Sequence, residues 1–307
     1  MEQKLSLFEK YMQWAKERFP IAAGLVLAAL LFYVSYLFGG LLGGRTAFPF
    51  MATVPGVFVI FLVMLHLRIF DEHKDFKKDS VAYPERVLSK GLITLQDLRV
   101  LLYAALAVEI GISLYLGWTQ SLIWLCIMIW SLLMFFEFFI PKFLGRHMSL
   151  YMISHQLVIP LMAWYGLSLQ YDITTAGLMG MRPTIIFMIG MMCTTVTYEI
   201  ARKTWSPEME KEGADSYSKA WGIGTAVLVN QVVAMVAGIA FAIVYAMFQI
   251  DIKFTLIVVA LNLLFLVTGL MFVGGPKPKR AKLVMAGGIF YGLGLFANSI
   301  VAFAAYP

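Results

Sequence analysis

The stretch that decides the fold reads FMATVPGVFVIFLVMLHLRIFDEHKDFKKD and covers residues 50–79. As far as residue 67 it is almost entirely apolar, whereas the part from Arg68 onward mixes acids and bases. A helix needs about 20 mostly apolar residues to cross the hydrocarbon layer of a bilayer. We therefore predict a membrane span over 47–67, followed directly by a charged segment at the membrane surface.

The composition of the whole chain agrees with a membrane protein. Of the 307 residues, 61% are hydrophobic and only 14% are charged, against about 25% charged residues in a typical soluble domain. These values exclude an ordinary soluble enzyme, a disordered chain and a disulfide-rich secreted scaffold. Both cysteines, Cys126 and Cys193, lie inside apolar runs and have no metal-ligand spacing.

Nine apolar segments are long enough to cross a membrane as helices. They cover residues 20–43, 47–67, 97–116, 119–140, 148–169, 177–199, 220–248, 252–273 and 283–305. In lipid, a helix satisfies its backbone polar groups internally, so we predict an all-α polytopic bundle of nine transmembrane helices. In this prediction residues 20–307 form a single nine-helix transmembrane domain.

The first nineteen residues form a separate element in this prediction. One face of a helix over residues 1–19 is apolar, and it consists of Leu5, Phe8, Met12, Ala15 and Phe19. The charged side chains fall on the other faces. This pattern is typical of an amphipathic helix that lies in the membrane interface.

The distribution of positive charge predicts the orientation in the membrane. With the N-terminus inside, all but three of the 24 Lys and Arg residues lie on the same side as the N-terminus. Cytoplasmic loops carry such an excess, so we place the N-terminus and the even-numbered loops in the cytoplasm and Pro307 on the opposite side. The net charge of +6 then follows from the loops, and no nucleic acid is needed as a partner.

The charged segment after the second span contains regularly spaced carboxylates. Asp71, Asp75 and Asp79 are four residues apart, so on a helix they share one face, with Glu72 one turn before Asp75. Like charges at this spacing repel each other, and a bound Mg²⁺ would turn the repulsion into attraction. The alternative is a solvated charged loop in which nearby cations neutralise the acids, namely Lys74, Lys77 and Lys78.

This segment resembles the first signature of the UbiA superfamily of intramembrane prenyltransferases, N-D-x-x-D-x-x-x-D followed by R-P-x-P-x-G. Residues 71–79 have the spacing of the first part, with Asp for Asn and Glu for the first Asp; residues 86–91 keep only Arg86 and Gly91 of the second. Nine spans with motifs in cytoplasmic loops 68–96 and 199–219 also match the layout of the family. The resemblance implies that the first motif is catalytic and holds Mg²⁺, through Asp71, Glu72, Asp75 and Asp79.

The second signature of the family is less well matched. It is another Asp-rich cluster that ends in G-x-x-T/S, and here only the ending is present, from Gly213 to Ser216. Two sets of acids are candidates for a second metal site: Glu199 at the end of its span, or Glu208 and Glu212, which would share a helical face. We favour Glu199, because Ser206 and Pro207 before Glu208 are typical of a helix start.

Basic and polar residues supply the remaining candidates. Guanidinium and ammonium groups that could bind a diphosphate lie in the cytoplasmic loops: Arg68, Arg86, Lys142, Arg146, Arg202 and Lys203. His155, Tyr198 and Asn230 are candidate substrate contacts, although such residues also make purely structural hydrogen bonds between helices. Glu109 lies near the middle of its span, so we expect it to be protonated or paired.

The resemblance implies a function. It is that of an integral-membrane, Mg²⁺-dependent enzyme that ionises an isoprenyl diphosphate and transfers the prenyl group to an aromatic or quinone-precursor acceptor. The alternative within the superfamily is a terpene cyclase, in which the cation reacts with double bonds of its own chain and no acceptor is used. A transporter or a non-catalytic membrane protein is a third hypothesis, although we find no internal repeat typical of transport.

Overall fold

The computed structural model describes residues 6–44, 50–171 and 178–306, except for the side chains of 50–52 and 178–180. Within these residues all regular elements are helical. The first seven α-helices are α1 (Leu7–Arg18), α2 (Ile21–Gly43), α3 (Phe50–Ala82), α4 (Leu95–Leu116), α5 (Trp118–Phe135), α6 (Pro141–Arg146) and α7 (Met148–Gln156). The remaining six are α8 (Val158–Leu167), α9 (Leu178–Arg202), α10 (Tyr217–Trp221), α11 (Ile223–Met247), α12 (Ile252–Val273) and α13 (Pro278–Ala304).

Eight helices in the described part of the chain are long and apolar enough to cross a membrane. These are α2, α3, α4, α5, α9, α11, α12 and α13, and they correspond to eight of the nine predicted spans. The remaining span, predicted over 148–169, is divided into α7 and α8, which meet at Leu157. Pro160 explains the division, since its ring lacks an N–H and clashes with the carbonyl four residues earlier.

The helix α3 is longer than the predicted span, and it carries the first motif. It runs without interruption from Phe50 to Ala82, 33 residues, or about 50 Å at 1.5 Å per residue. The hydrocarbon layer is only about 30 Å thick. The last turns of α3, including residues 71–79, therefore extend beyond the apolar part of the helix, and the predicted helical arrangement of the acids is confirmed.

Residues 6–29, 50–135 and 211–214 form one structural unit. In it, α3, α4 and α5 pack against one another, and α1 begins with a capping box between Ser6 and Glu9. Trp14 and Phe19 of this N-terminal segment are buried, and the ring of Phe19 lies 5.3 Å from that of Phe61 in α3. Part of the predicted apolar face thus packs on the protein, while Phe8 is exposed. The position of α1 in the membrane interface stays a prediction.

The second unit contains residues 30–44, 136–171, 178–210 and 215–306 among those described. Its helices α9, α11, α12 and α13 form the main packed group. Close backbone approach occurs between α2 and α8, where a Cβ added to Gly39 would overlap the carbonyl oxygen of Leu167. Small residues allow such contacts between membrane helices, where dispersion takes the place of the hydrophobic effect.

The segment between α5 and α6 has an unusual backbone. Glu137, Phe138 and Phe139 all have positive φ angles, of 47°, 52° and 60°. The left-handed region costs about 1–2 kcal/mol for each residue with a side chain, so these three residues cannot continue a right-handed helix. The span predicted over 119–140 therefore ends at Phe135.

Candidate active site

The carboxylates of the first motif fall into two groups, and the first group binds arginine. The guanidinium of Arg18, in α1, donates from Nε to Glu72 Oε1 at 2.5 Å and from Nη2 to Asp79 Oδ2 at 3.3 Å. Arg86 donates from Nη1 to the same oxygen of Asp79 at 2.5 Å. Only 3% of the Glu72 side chain is exposed. Glu72 and Asp79 are thus held in charge-assisted hydrogen bonds that α1 and the loop after α3 supply.

Further contacts hold α1 and the loop together. Glu17 Oε2 accepts a hydrogen bond from the backbone amide of Val87 at 3.1 Å, and the hydroxyl of Tyr11 donates to the carbonyl oxygen of Asp97 at 2.8 Å. Residues 6–18, which the sequence assigns only to the membrane interface, therefore contribute directly to the surroundings of the motif. We refer to Arg18, Arg86, Glu72 and Asp79 as the arginine clamp.

The second group consists of Asp71 and Asp75, which lie one turn apart on α3. Asp71 is 44% exposed, and its nearest cations are Arg68 at 3.7 Å and Lys74 at 3.9 Å, both longer than a hydrogen bond. Asp75 is half-buried, and the charges that act on it come from Lys74, Lys78 and the neighbouring acids. These two carboxylates are outside the arginine clamp.

The carboxylates of the first motif fit one kind of magnesium site, in which the protein supplies few of the ligands. In the described part of the chain, no three His, Cys, Asp or Glu side chains are close enough to form a complete metal site. Mg²⁺ is usually held by one or two carboxylates, with waters and substrate phosphates as its other ligands. Asp71 and Asp75 are such a pair. Waters fill the remaining positions of such a site, and phosphate oxygens replace some of them when a diphosphate binds.

Residues 211–214 of the second loop pack on the end of α3 within the same unit. The Nζ of Lys211 lies 4.4 Å above the centre of the Tyr83 ring and 3.7 Å from Glu85 Oε1, while Arg86 Cζ lies 3.6 Å from the same ring centre. A backbone hydrogen bond holds the pKa of Glu85 below its ordinary value, and Lys211 lowers it further. Lys211 therefore links the segment that contains Gly213 to the residues that directly follow α3, by a cation–π and an ionic contact.

The candidates of the second loop are arranged differently from the prediction. Glu199 is 15% exposed and accepts from Arg202 Nε at 2.6 Å and from Lys203 Nζ at 3.0 Å. The predicted helical face shared by Glu208 and Glu212 is wrong. Residues Pro207–Met209 form one 3-10 turn, after which the backbone becomes extended at Glu210, with ψ of 133°. Both predicted acids are exposed.

The end of this loop is held by hydrogen bonds. Ser216 accepts from the backbone amide of Lys219 at the start of α10, and its hydroxyl donates to Glu210 Oε1 at 2.6 Å. Tyr217, the next residue, is 2% exposed and packs with Ile200, Val196 and Met152. Burial raises the pKa of the Tyr217 phenol well above its ordinary value. The G-x-x-S ending therefore serves as the start of a short helix with a buried tyrosine.

The other predicted residues occupy varied positions. Lys142 and Arg146 are exposed on α6. His155 donates from Nδ1 to the carbonyl oxygen of Tyr151 at 2.8 Å, and its ring stacks on that of Tyr151 with 3.9 Å between centroids. Tyr198 is 39% exposed. None of these positions by itself assigns a substrate contact.

Asn230 connects two helices. With its amide nitrogen toward Thr197, it donates to the carbonyl oxygen of that residue at 2.9 Å, and its oxygen accepts from the backbone amide of Ala201 at 3.3 Å. Both bonds reach the backbone of α9 from α11. Of the two roles that the sequence left open for Asn230, the interhelical hydrogen bond is the one observed.

Two important residues were missed in the sequence. Arg18 stands next to the first span, where a cation is explained by the positive-inside rule alone, and no local pattern links it to residues 54 and 61 positions away. His66 lies inside the second span, where a polar residue is a signal in itself. Its ring is fully buried and bonds to Glu109, the residue for which a partner was expected.

Solved structures similar to this chain share its fold. One, described in work on digeranylgeranylglyceryl phosphate synthase in membranes, is 15% identical, covers 98% of this chain and 99% of its own, and has a TM-score of 0.65. A UbiA homologue from Aeropyrum pernix K1 is 13% identical over 88% of this chain and 97% of its own, with a TM-score of 0.62.

A third similar structure carries ligands. It is a UbiA homologue from Archaeoglobus fulgidus bound to GPP and Mg²⁺, 15% identical over 94% of this chain and 99% of its own, with a TM-score of 0.54. No family model and no curated protein matches this sequence. At such low identity the likeness concerns the fold. Together with its long apolar helices, it makes the chain an integral multi-pass membrane protein with the fold of the UbiA homologues.

Proposed function

We propose that this chain is a magnesium-dependent enzyme that cleaves an isoprenyl diphosphate inside the membrane. The observation that carries the proposal is the pair Asp71 and Asp75, left outside the arginine clamp at the end of a long apolar helix. A structure of the same fold holds GPP (geranyl diphosphate) and Mg²⁺. An apolar bundle suits the prenyl chain, and a carboxylate pair at its charged end suits the metal that binds a diphosphate.

In this proposal each group of residues has its own task. Asp71 and Asp75 hold Mg²⁺, which would neutralise the diphosphate and make it a better leaving group. Arg68 lies 3.7 Å from Asp71, so it can exchange this contact for a phosphate oxygen. The arginine clamp keeps Glu72 and Asp79 neutralised, which reduces the repulsion that a bound diphosphate would meet.

The second loop offers a separate set of charges. Arg202 and Lys203 are both bound to Glu199. We propose that Glu199 holds these two cations in place as diphosphate ligands, rather than acting as a metal ligand itself. The guanidinium of Arg202 and the ammonium of Lys203 already bind its two oxygens, and a metal would have to displace them. Lys142 and Arg146 stay candidates for the same task.

Departure of the diphosphate, with its bonding electron pair, would produce an allylic cation that the apolar bundle protects from water. In prenyl transfer an acceptor captures this cation, whereas in cyclisation a double bond of the same chain does so. One observation favours keeping the cyclase as the second candidate: the acids of the second loop, namely Glu199, Glu208 and Glu212, are paired or exposed and do not form a second Asp-type metal pair.

The reaction can be tested with the purified protein in lipid vesicles. Geranyl, farnesyl and geranylgeranyl diphosphate are supplied with Mg²⁺, and release of inorganic diphosphate is measured with and without acceptors. An aromatic quinone precursor and a glyceryl phosphate are tested as acceptors. The second is included because one similar structure comes from work on digeranylgeranylglyceryl phosphate synthase. Release that requires an acceptor supports transfer; release with a cyclic hydrocarbon in the organic extract supports cyclisation.

Two variants make the test specific. Asp75→Asn removes a proposed metal ligand and is expected to lower the rate at least about 100-fold. Asp251→Asn changes an exposed acid before α12 that can still cap the helix, and it should retain the wild-type rate. Absence of diphosphate release from the wild type with every donor, or an Asp75→Asn variant as active as wild type, would reject the proposed enzyme.

A further inference from the structure

A buried polar network in the first unit has no part in the chemistry described so far. His66 of α3 lies with Nδ1 at 2.9 and 3.0 Å from the two carboxylate oxygens of Glu109 in α4, and with Nε2 at 3.1 Å from Ser131 Oγ in α5. Trp124 Nε1 donates to Glu109 Oε2 at 2.9 Å. The side chains of His66, Glu109 and Ser131 are fully buried. One network therefore joins three helices inside their apolar region.

The hydrogen bonds define the donors and acceptors. The hydroxyl of Ser131 donates to the carbonyl oxygen of Ile127 at 2.8 Å, so its oxygen accepts from His66 Nε2. His66 Nδ1 and the carboxyl group of Glu109 then share one hydrogen between them, so the pair carries no net charge whichever of the two residues holds it. Ser131 is not a nucleophile in this arrangement, because its hydroxyl proton is donated to the carbonyl oxygen of Ile127 and its side chain is fully buried.

Stability alone does not explain such a pair. Replacing both partners of a buried hydrogen-bonded or ionic pair by well-packed apolar side chains is often neutral or stabilising, because the polar groups must be stripped of water. A fully satisfied polar network instead favours one arrangement of its helices, since a rotated or shifted helix leaves buried groups without partners. The network therefore indicates that the protein requires α3 to have one defined rotation about its axis and one defined position along it.

The network lies next to the first motif. His66 precedes Asp71 by five residues of one continuous helix, about 7.5 Å along its axis. The ring of His66 contacts that of Phe70, with 5.5 Å between centroids, and Phe70 contacts Phe135 at the end of α5, at 5.1 Å. On the other side of Asp71, the ring nitrogens of His73 bond to the carbonyl oxygens of Ile69 and Leu95, the latter at the start of α4.

We propose that His66 and Glu109 are positioning residues that set the rotation of α3 and thereby the places of Asp71 and Asp75. This inference rests on the proposed function, in which these two carboxylates hold the metal. Hydrogen-bonding and aromatic contacts fix α3 before the motif, and His73 fixes it within the motif. Asp71 lies between these two points and Asp75 only two residues beyond the second, so both carboxylates have little freedom to turn away from the diphosphate.

The test uses a double variant that removes the network without leaving a buried charge, His66→Leu with Glu109→Leu. We expect it to unfold in the same range as the wild type, since both partners of the buried pair are replaced together. Binding of Mn²⁺, followed by electron paramagnetic resonance, should weaken about tenfold, because displacement of a site by about 1 Å has effects of this order or larger. The Mg²⁺ concentration for half-maximal diphosphate release should rise in parallel.

Two further variants separate positioning from general damage. Glu109→Gln keeps a partner for both neighbours, because its amide NH2 can donate to His66 Nδ1 while its oxygen accepts from Trp124 Nε1, and it should bind Mn²⁺ almost as well as the wild type. Tyr245→Phe removes a buried hydroxyl that bonds to Ser299 and Asn298 in the other unit. It represents a comparable loss of buried hydrogen bonds and should leave Mn²⁺ binding unchanged.

The outcomes also separate this inference from the proposed function. Unchanged Mn²⁺ affinity in the double variant overturns the positioning role, whatever the activity. If the wild type binds Mn²⁺ but releases no diphosphate, the proposed reaction fails, and the positioning role is still decided by the affinities. A wild type that binds no Mn²⁺ overturns both.

Discussion

Both motif regions of this protein contain acids four residues apart in the sequence, but the two regions differ in structure. In the first, acids four residues apart lie on one continuous helix, α3, and the helical spacing is maintained. In the second, Glu208 and Glu212 have the same spacing, but one 3-10 turn and an extended residue separate them. Spacing therefore indicates a shared face only where the helix continues, and Pro207 begins only a single turn here.

The ion pairs of the two regions differ as well. Glu199 pairs with residues three and four positions ahead, a local arrangement that helical geometry makes easy. Glu72 pairs with Arg18, 54 residues away in the chain. Glu72 is thus held by a long-range contact and Glu199 by local ones. We expect substitutions in the first region to have the larger effects, and the following predictions test this difference.

The largest effect is expected within the first motif itself. Asp71→Asn removes a carboxylate outside the arginine clamp and should lower diphosphate release about 1,000-fold. Asp79→Asn changes a carboxylate that binds Arg18 and Arg86, and an amide oxygen can still accept from them, so a decrease of about tenfold is expected. Steady-state rates at saturating Mg²⁺ measure both. Equal losses would contradict the division of the four acids into two groups.

The next effect concerns the clamp. Arg18→Met leaves Glu72 buried without its cation, which should lower the free energy of unfolding by about 3 kcal/mol. Denaturant titration in detergent micelles measures this change, and Lys16→Met on the exposed side of α1 is the matched control. The additional substitution Glu72→Gln should recover part of the loss. A variant at Arg18 as stable as the control would show that α1 is not needed to hold the motif.

A smaller effect is expected at Glu199. Glu199→Gln leaves Arg202 and Lys203 as neighbouring cations, but these side chains reach solvent and are screened, so the loss should be about 1.5 kcal/mol. The control Glu208→Gln changes an exposed acid and should stay within about 0.5 kcal/mol of the wild type. The same titration applies. A loss at Glu199 as large as that at Arg18 would remove the distinction between local and long-range pairs.

The smallest effect is expected for the backbone of the second loop. Gly213 has a φ of +76°, and a Cβ there would lie 3.9 Å from the Cβ of Ala82, an ordinary contact. Gly213→Ala should therefore cost about 1 kcal/mol through backbone strain alone. Gly224→Ala, in helix α11 with open space around it, should be neutral or slightly stabilising. If both substitutions had the same effect, the positive φ would not be the cause.

Much of the fold could be predicted from the sequence. Apolar segments of about 20 residues are long enough to cross a bilayer, and this requirement gave eight helices near their observed positions. The predictions failed where single residues changed the backbone locally. Pro160 divides the segment over 148–169, and the left-handed residues Glu137–Phe139 end the fourth span early. Of the two hypotheses for the charged end of α3, a helix with its acids on one face or a solvated loop, the helix is the one observed.

Less of the candidate site could be predicted. The acids of α3 were found from their spacing, and Glu109 was expected to be protonated or paired because a charge in the middle of a span is costly. Neither pattern could identify Arg18, His66, Trp124 or Ser131 as partners, since these contacts join helices far apart in the chain. The role of Asn230 was left open for the same reason.

The sequence by itself determined that this protein is a helical membrane protein and which residues carry its acidic motif. Both follow from local quantities, the length of apolar runs and the 3.6-residue period. Only the tertiary structure decided which acids belong to the arginine clamp and which lie outside it, and which buried groups form a pair. A carboxylate is stabilised by the nearest cation or hydrogen-bond donor. The packing of the helices determines which residue that is.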